Sequence, residues 1–247
     1  MYYQHIANQS TYKNIQIDGL AQYNSRKIIT SQNQKYNLYK YSMKPSVYLI
    51  GAGGHSKQVI DVFELNKIKI LGIFDDQKIG THYKNYKISG KISDIPNKIN
   101  ITDNLFCTIG NNYTRKQICE KYYNYTFINC IHPLSFISDT VKMGKGNYIG
   151  SFTNILGDCE IGNFNVLNDS STLPHDVKIG NYNHLAIGCS LGGWVNITNN
   201  VLIGVNATIL PKITVNDDVI VGAGSVIVKD IPEKSTVVGN PGKIIKK

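Results

Sequence analysis

The sequence predicts two architectures in series: an α/β unit with a parallel sheet over residues 45–130, and an all-β parallel helix over residues 131–247. Two observations carry this reading. Residues 45–130 alternate short apolar runs with stretches of helical period, as a parallel sheet with flanking helices requires. From Ile137 to Ile227, every sixth residue is aliphatic or Met, sixteen positions without exception. No helix or sandwich has a period of six, whereas a solenoid of short strands does. Hydrophobic residues make up 42% of 247 residues, enough to pack both cores.

The elements follow in order. Residues 1–44 are polar, rich in Gln, Asn, Tyr and Lys, and keep no period. They are expected to form a flexible extension, with Met43 as an alternative start just before the first strand. The sequence SVYLIG reads as a buried strand. HSKQVIDVFELNK reads as a helix that buries Val59, Ile60, Val62 and Phe63. KILGIFDD and LFCTIGNN supply further strands, TRKQICEKYYN a helix, and YTFIN a last strand before the repeat begins near Ile131.

Within the repeat, Gly follows the aliphatic residue at Gly150, Gly162, Gly180, Gly204 and Gly222. Those glycines are expected at corners that need positive φ. The position four after the aliphatic is small or branched at Val141, Thr153, Cys159, Ser171, Val177, Cys189, Val195, Val201, Ala207, Val219 and Ser225. It reads as a second inward position, which makes Cys159 and Cys189 core fillers.

Composition narrows the function classes. The net charge of +9 suits an anionic partner such as a phosphate. No basic run is interleaved with aromatics, so a nucleic-acid partner is not expected. No apolar run approaches the roughly 20 residues of a membrane span, and the start lacks a secretory core, so a cytoplasmic protein with no membrane contact is expected. The five cysteines are odd in number and lack a CxxC pair, which fits reduced thiols.

Two motifs carry chemistry. Gly51-Ala52-Gly53-Gly54-His55-Ser56-Lys57 joins a strand to a helix, where glycines admit a ligand to the backbone and the helix N-terminus favours anions. Asp75-Asp76 closes the next strand and can take ribose or sugar hydroxyls. On residues alone the loop fits a dinucleotide, a nucleotide sugar or a plain tight turn. The second motif is Asn168-Asp169-Ser170-Ser171-Thr172-Leu173-Pro174-His175-Asp176. His175 lies two past the inward Leu173, so it points outward at a corner, where an imidazole can take a proton near neutral pH. Asp176 can orient it. Gly193 lies one coil of 18 residues beyond His175 and stacks over it, with a backbone N–H suited to an oxyanion. His184 lies half a coil from His175, so the two meet only across a subunit boundary. Val205 and Ala223 stack on Ile187 at steps of 18.

These residues resemble the left-handed β-helix of the hexapeptide acyltransferases. More narrowly, residues 45–247 resemble the branch that joins a Rossmann-like domain to that helix: bacillosamine- and viosamine-type UDP-amino-sugar N-acetyltransferases and sialic acid O-acetyltransferases. The resemblance rests on the hexads, on the glycine loop with Asp75-Asp76 and Ile109-Gly110-Asn111-Asn112, and on Asn168, His175 and the acid after it. In that branch the acid is often Glu; here it is Asp176. The resemblance implies acetyl transfer from acetyl-CoA to the amine of a nucleotide sugar, with no metal. It implies catalytic roles for His175, Asp176, Asn168 and Gly193. It implies acetyl-CoA contacts at His184, Val205 and Ala223, and sugar-nucleotide contacts at Gly53, Gly54, His55, Asp75, Asp76 and Gly110. It also implies a homotrimer with the site between neighbouring helices. Three-histidine zinc, as in β-helix carbonic anhydrases, lacks a third partner for His175 and His184 in the repeat. An O-acetyltransferase and a non-catalytic nucleotide-binding scaffold are the rival readings.

Overall fold

The structure, a computed structural model, describes residues 45–246. The expected extension over residues 1–44 lies outside the described residues.

The α/β unit is built on strands β1 (Ser46–Ile50), β2 (Lys69–Phe74), β3 (His82–Tyr83), β4 (Tyr86–Gly90), β5 (Asn104–Cys107) and β6 (Thr126–Phe127). Their order across the sheet is β3-β4-β2-β1-β5-β6, parallel throughout except for the β3–β4 hairpin. Strands β1, β2 and β5 are buried on both faces at their carboxyl ends, at Leu49 and Ile50, at Ile73 and Phe74, and at Leu105, Phe106 and Cys107, while Leu71 in β2 is exposed. Helix α1 (Gly54–Leu65) buries Val59, Ile60, Val62 and Phe63, the residues its period selects. The hairpin, the 3-10 turn Ile92–Asp94 and helix α2 (Ile95–Lys98) carry no strong period and were not expected. Helix α3 (Asn112–Lys121) buries Arg115 and Cys119.

The remainder is a left-handed β-helix whose coils make three parallel sheets. The eight-stranded face starts at Cys130–Ile131, the six-stranded face at Phe136–Ile137 and the five-stranded face at Lys142–Met143. We call them the first, second and third faces. Partners lie 18 residues apart, as in Ile149↔Leu167, Ile155↔Leu173 and Ile161↔Ile179. The sixteen aliphatic positions line one core, with Met143 only partly buried. All eleven second inward positions are buried, Cys159 and Cys189 included. Asn147, Asn165 and Asn183 occupy the same inward track and are also buried. Each uses its side-chain oxygen to accept the backbone N–H one coil on, ending at Val201. The chain closes with Lys243–Lys246 running antiparallel to Thr236–Val238.

One expectation is corrected. The glycines after the aliphatic residues do not have positive φ. The left-handed conformation falls two residues later, at Phe152, Asp158, Phe164, Ser170, Asp176, Tyr182 and Trp194 among others. What requires glycine is close stacking. A Cβ on Gly162 would stand 2.4 Å from the Gly180 carbonyl oxygen, and one on Gly180 would stand 2.3 Å from that of Thr198.

Candidate active site

The glycine loop runs from the end of β1 into α1, at the carboxyl edge of the parallel sheet, where ligands of open α/β sheets bind. Gly51 takes φ 102°, and a Cβ there would meet Ile109 at 2.6 Å. Gly53 and Gly54 are exposed, and a Cβ on either would meet nothing within 4 Å. The loop is held from one side. Lys78 Nζ donates to the Ala52 carbonyl at 2.5 Å, and Tyr83 OH donates to that of Gly53 at 2.5 Å. Asp75 accepts from Ala52 N with one oxygen (2.8 Å) and from Gln77 N and Lys78 N with the other (2.9 and 3.0 Å). Asp75 is thus committed to the loop's own backbone. Asp76 is exposed and accepts from Ile92 N at 2.9 Å.

His55 packs edge-on against Tyr148 of the β-helix, ring centroids 4.7 Å apart. Its Nδ1 lies 3.1 Å from Gln58 Oε1, while its buried Nε2 has no partner among the described residues. Burial pushes the His55 imidazole down to about 4, the nearby Arg115 adding to the effect. His184, on the first face, is held down to about 4 by burial first and then by the charges of Arg115 and His55; the Gly110 backbone acts in the opposite direction. His55, Gly110 and His184 therefore share one neighbourhood at the junction of the two parts.

The other half of the site lies on a different edge of the prism. His175 and Asp176 occupy the corner between the second and third faces. Nδ1 of His175 lies 2.9 Å from Asp176 Oδ2, and the side chains are 52% and 42% exposed, open to a substrate. Gly193 is buried beneath the ring, with room for no side chain: a Cβ would fall 2.9 Å from His175 Cε1. The Trp194 N–H donates to the His175 carbonyl and the Lys212 N–H to that of Gly193, while the Gly193 N–H has no partner among the described residues. Trp194 stands edge-on to His175, centroids 4.4 Å apart and 53% exposed. It was missed from the sequence, although it stacks one coil above Asp176.

Asn168 is not beside His175. It lies at the corner between the first and second faces, where its side-chain oxygen accepts the Asp169 N–H at 3.1 Å. Val205 and Ala223 run along that same corner, both exposed, stacked by the Asn206 N–H to Ile187 and the Gly224 N–H to Val205. Within one chain the structure brings together His175, Asp176 and Gly193. Separately, it brings together Gly110, His55 and His184. Among the described residues no cluster of three or more His, Cys, Asp or Glu could hold a metal, and no helix is long and apolar enough to cross a membrane.

Comparison with known proteins places this geometry. Residues 46–122 match the family described as the PglD N-terminal domain. Perosamine N-acetyltransferase from Caulobacter crescentus, solved with CoA and GDP-perosamine, is 28% identical with a TM-score of 0.77, over 82% of this chain and 97% of that one. The acetyltransferase domain of PglB from Neisseria gonorrhoeae is 27% identical with a TM-score of 0.78, over 82% of this chain and all (100%) of that one. WeeI from Acinetobacter baumannii is 26% identical with a TM-score of 0.74, over 82% and 100%. Protein L142 of Acanthamoeba polyphaga mimivirus is 49% identical over 118 residues, 48% of this chain but only 24% of the viral protein's length. Residues 46–122 thus match the PglD N-terminal domain, and with the hexapeptide-repeat β-helix behind them the chain has the same two-part build as these solved sugar N-acetyltransferases.

Proposed function

We propose that the chain transfers the acetyl group of acetyl-CoA to the amine of a nucleotide-linked sugar, of the 4-amino-4,6-dideoxy class, in the cytoplasm. One observation carries the reading: an exposed His175–Asp176 pair, 2.9 Å apart, lies directly against a backbone amide without a partner. Asp176 orients His175 Nδ1, which leaves Nε2 to take a proton. The sugar nitrogen attacks the thioester carbonyl, forming the C–N bond. His175 accepts the proton that nitrogen loses. The Gly193 N–H receives the developing oxyanion. The C–S bond then breaks, and the leaving thiolate takes the proton from His175. The buried cysteines offer no nucleophile for an acyl-enzyme, so transfer is direct.

The glycine loop supports the nucleotide-sugar half. Gly53 and Gly54 satisfy no steric demand of the chain itself, and His55 Nε2 is buried without a partner. Both features are accounted for by a ligand whose diphosphate meets the N-terminus of α1 and whose sugar reaches His55 and Gly110. With Asp75 committed to the loop, Asp76 is the acid left for hydroxyls. His184 on the first face, and Val205 and Ala223 along the corner between the first and second faces, take acetyl-CoA, with Asn168 beside them. Because this half and the His175 half lie on different edges, a neighbouring copy completes each site, in the homotrimer that the sequence resemblance implies.

The test is acetyl-CoA turnover across UDP-, GDP- and dTDP-linked amino sugars and their hydroxyl counterparts, with sedimentation on the same sample. Acetylation of an amino form with the higher kcat/KM, by a trimer, is expected. Preference for the hydroxyl form, or an active monomer, would overturn the corresponding part.

A further inference from the structure

Arg115 heads the largest fully buried side chains, at 1% exposure, yet none of its partners is a carboxylate. Its five N–H groups reach six acceptor oxygens, three of them sharing the two hydrogens of Nη2. Three contacts go to the loop after β5 and the residue that opens α3: Nη1 to the carbonyls of Ile109 (3.0 Å) and Gly110 (2.9 Å), and Nη2 to Asn112 Oδ1 (2.8 Å). Three go to the β-helix corner between its third and first faces: Nε to the Phe164 carbonyl (2.9 Å), and Nη2 to those of Tyr182 (3.0 Å) and Asn183 (3.1 Å). Asn183 directly precedes His184 in the chain. A single planar group therefore ties the Gly110 loop to the strand that carries His184. Asn112 Nδ2 adds a parallel bond to the Val201 carbonyl at 3.0 Å.

An isolated buried charge is costly, and apolar residues would glue two units together more cheaply. A guanidinium at such a place brings fixed geometry, because its donors are rigid and point in set directions. The surface it grips is itself stiff, since the interior amides of Asn147, Asn165 and Asn183 lock these coils in register.

We propose that Arg115 is a positioning residue that fixes the register between the Gly110 loop and the His184 strand, and so the spacing of the sugar-binding and acetyl-CoA-binding groups. The second clause rests on the functional reading above. Burial lowers Arg115 only to about 10, so it remains a cation at neutral pH. Its charge then adds to burial in keeping His55 and His184 neutral.

Hydrogen exchange by mass spectrometry on the full chain separates this from simple domain glue. Arg115→Lys keeps the charge and loses the fork, and Asn112→Ala cuts the same staple more gently if the first variant does not fold. Asn66→Ala is the control: Asn66 Nδ2 bonds the Ile131 carbonyl at 2.8 Å, joining the same two parts elsewhere. Exchange over residues 109–112 should rise about ten-fold or more in the first two variants and stay at the wild-type rate in the control, with the coils over residues 136–173 unchanged in all three. KM for the nucleotide sugar should rise by about ten-fold in Arg115→Lys, since a shift of about 1 Å away from the chemistry can cost on the order of a hundred-fold. Wild-type exchange at the loop, or an equal rise in Asn66→Ala, would overturn the staple. Faster exchange with unchanged kcat and KM would overturn its link to the site. Should the wild-type protein acetylate no nucleotide sugar, the functional reading alone fails, and the exchange comparison still judges the staple.

Discussion

Glycine serves the two parts of the molecule for different reasons. In the β-helix, Gly162 and Gly180 are fixed by the coil above, whose carbonyl oxygens leave no room for a Cβ. The left-handed corners hold glycine at Gly146, Gly188 and Gly224, but most carry other residues, among them Phe152, Asp158, Asp176, Trp194 and Lys212. In the α/β unit the pattern reverses. Gly51 needs its conformation, with φ 102°, whereas Gly53 and Gly54 have open space and ordinary φ. In the solenoid, stacking distance fixes residue size and leaves the corner side chains free for chemistry, at a cost of about 1–2 kcal/mol for each left-handed residue. In the loop, Gly53 and Gly54 leave open the space that the proposed nucleotide sugar would take.

The sharpest test of that freedom is His175→Ala. It should cost about 10²- to 10⁴-fold in kcat and leave the melting temperature unmoved. Near wild-type turnover by steady-state assay would remove His175 from the mechanism. Gly180→Ala should do the opposite, lowering stability by about 3 kcal/mol as read by urea unfolding. A loss below about 1 kcal/mol would show that the coils can spread to admit a side chain.

The junction between the parts should respond to pH. His55 and His184 sit at about 4 in the folded state, below the ordinary histidine value of 6.5. Between those values the unfolded chain binds more protons than the folded one, so stability is complete above about 6.5 and falls as pH drops toward 4. The loss should be about 3 kcal/mol for each histidine by pH 4, roughly 6 kcal/mol for the pair, and the double variant His55→Gln/His184→Gln should flatten that limb. An unchanged limb in the double variant would place the acid sensitivity elsewhere.

Smaller effects separate ligand-driven from chain-driven glycines. Gly53→Ala and Gly54→Ala should shift stability by less than about 0.5 kcal/mol, yet raise KM for the nucleotide sugar about ten-fold. Destabilisation beyond about 1 kcal/mol would show that the chain needs these glycines after all. Smallest of all is Lys212→Gly, with φ 64° relieved. The gain at a left-handed position and the entropy glycine loses on folding nearly cancel, leaving under about 1 kcal/mol by thermal unfolding.

By itself the sequence determined the solenoid, its register and which candidate residues stack on one another. A six-residue period is local and repeats, so once the coil length is known every stack follows: Gly193 over His175, and Val205 over Ile187. The glycine loop was legible for the same reason, being a strand, a turn and a helix start in one run of residues. Tertiary structure alone decided the rest. The burial of Arg115 could not be seen, because in a polar helix it reads as a surface charge, and three of its acceptors lie 49, 67 and 68 residues away. The commitment of Asp75 to Ala52, 23 residues apart, was hidden in the same way. The separation of Asn168 from His175 is a matter of which prism edge each corner occupies. Periodicity fixes what repeats along one chain axis; contacts between two different architectures meet once, and only the folded surfaces specify them.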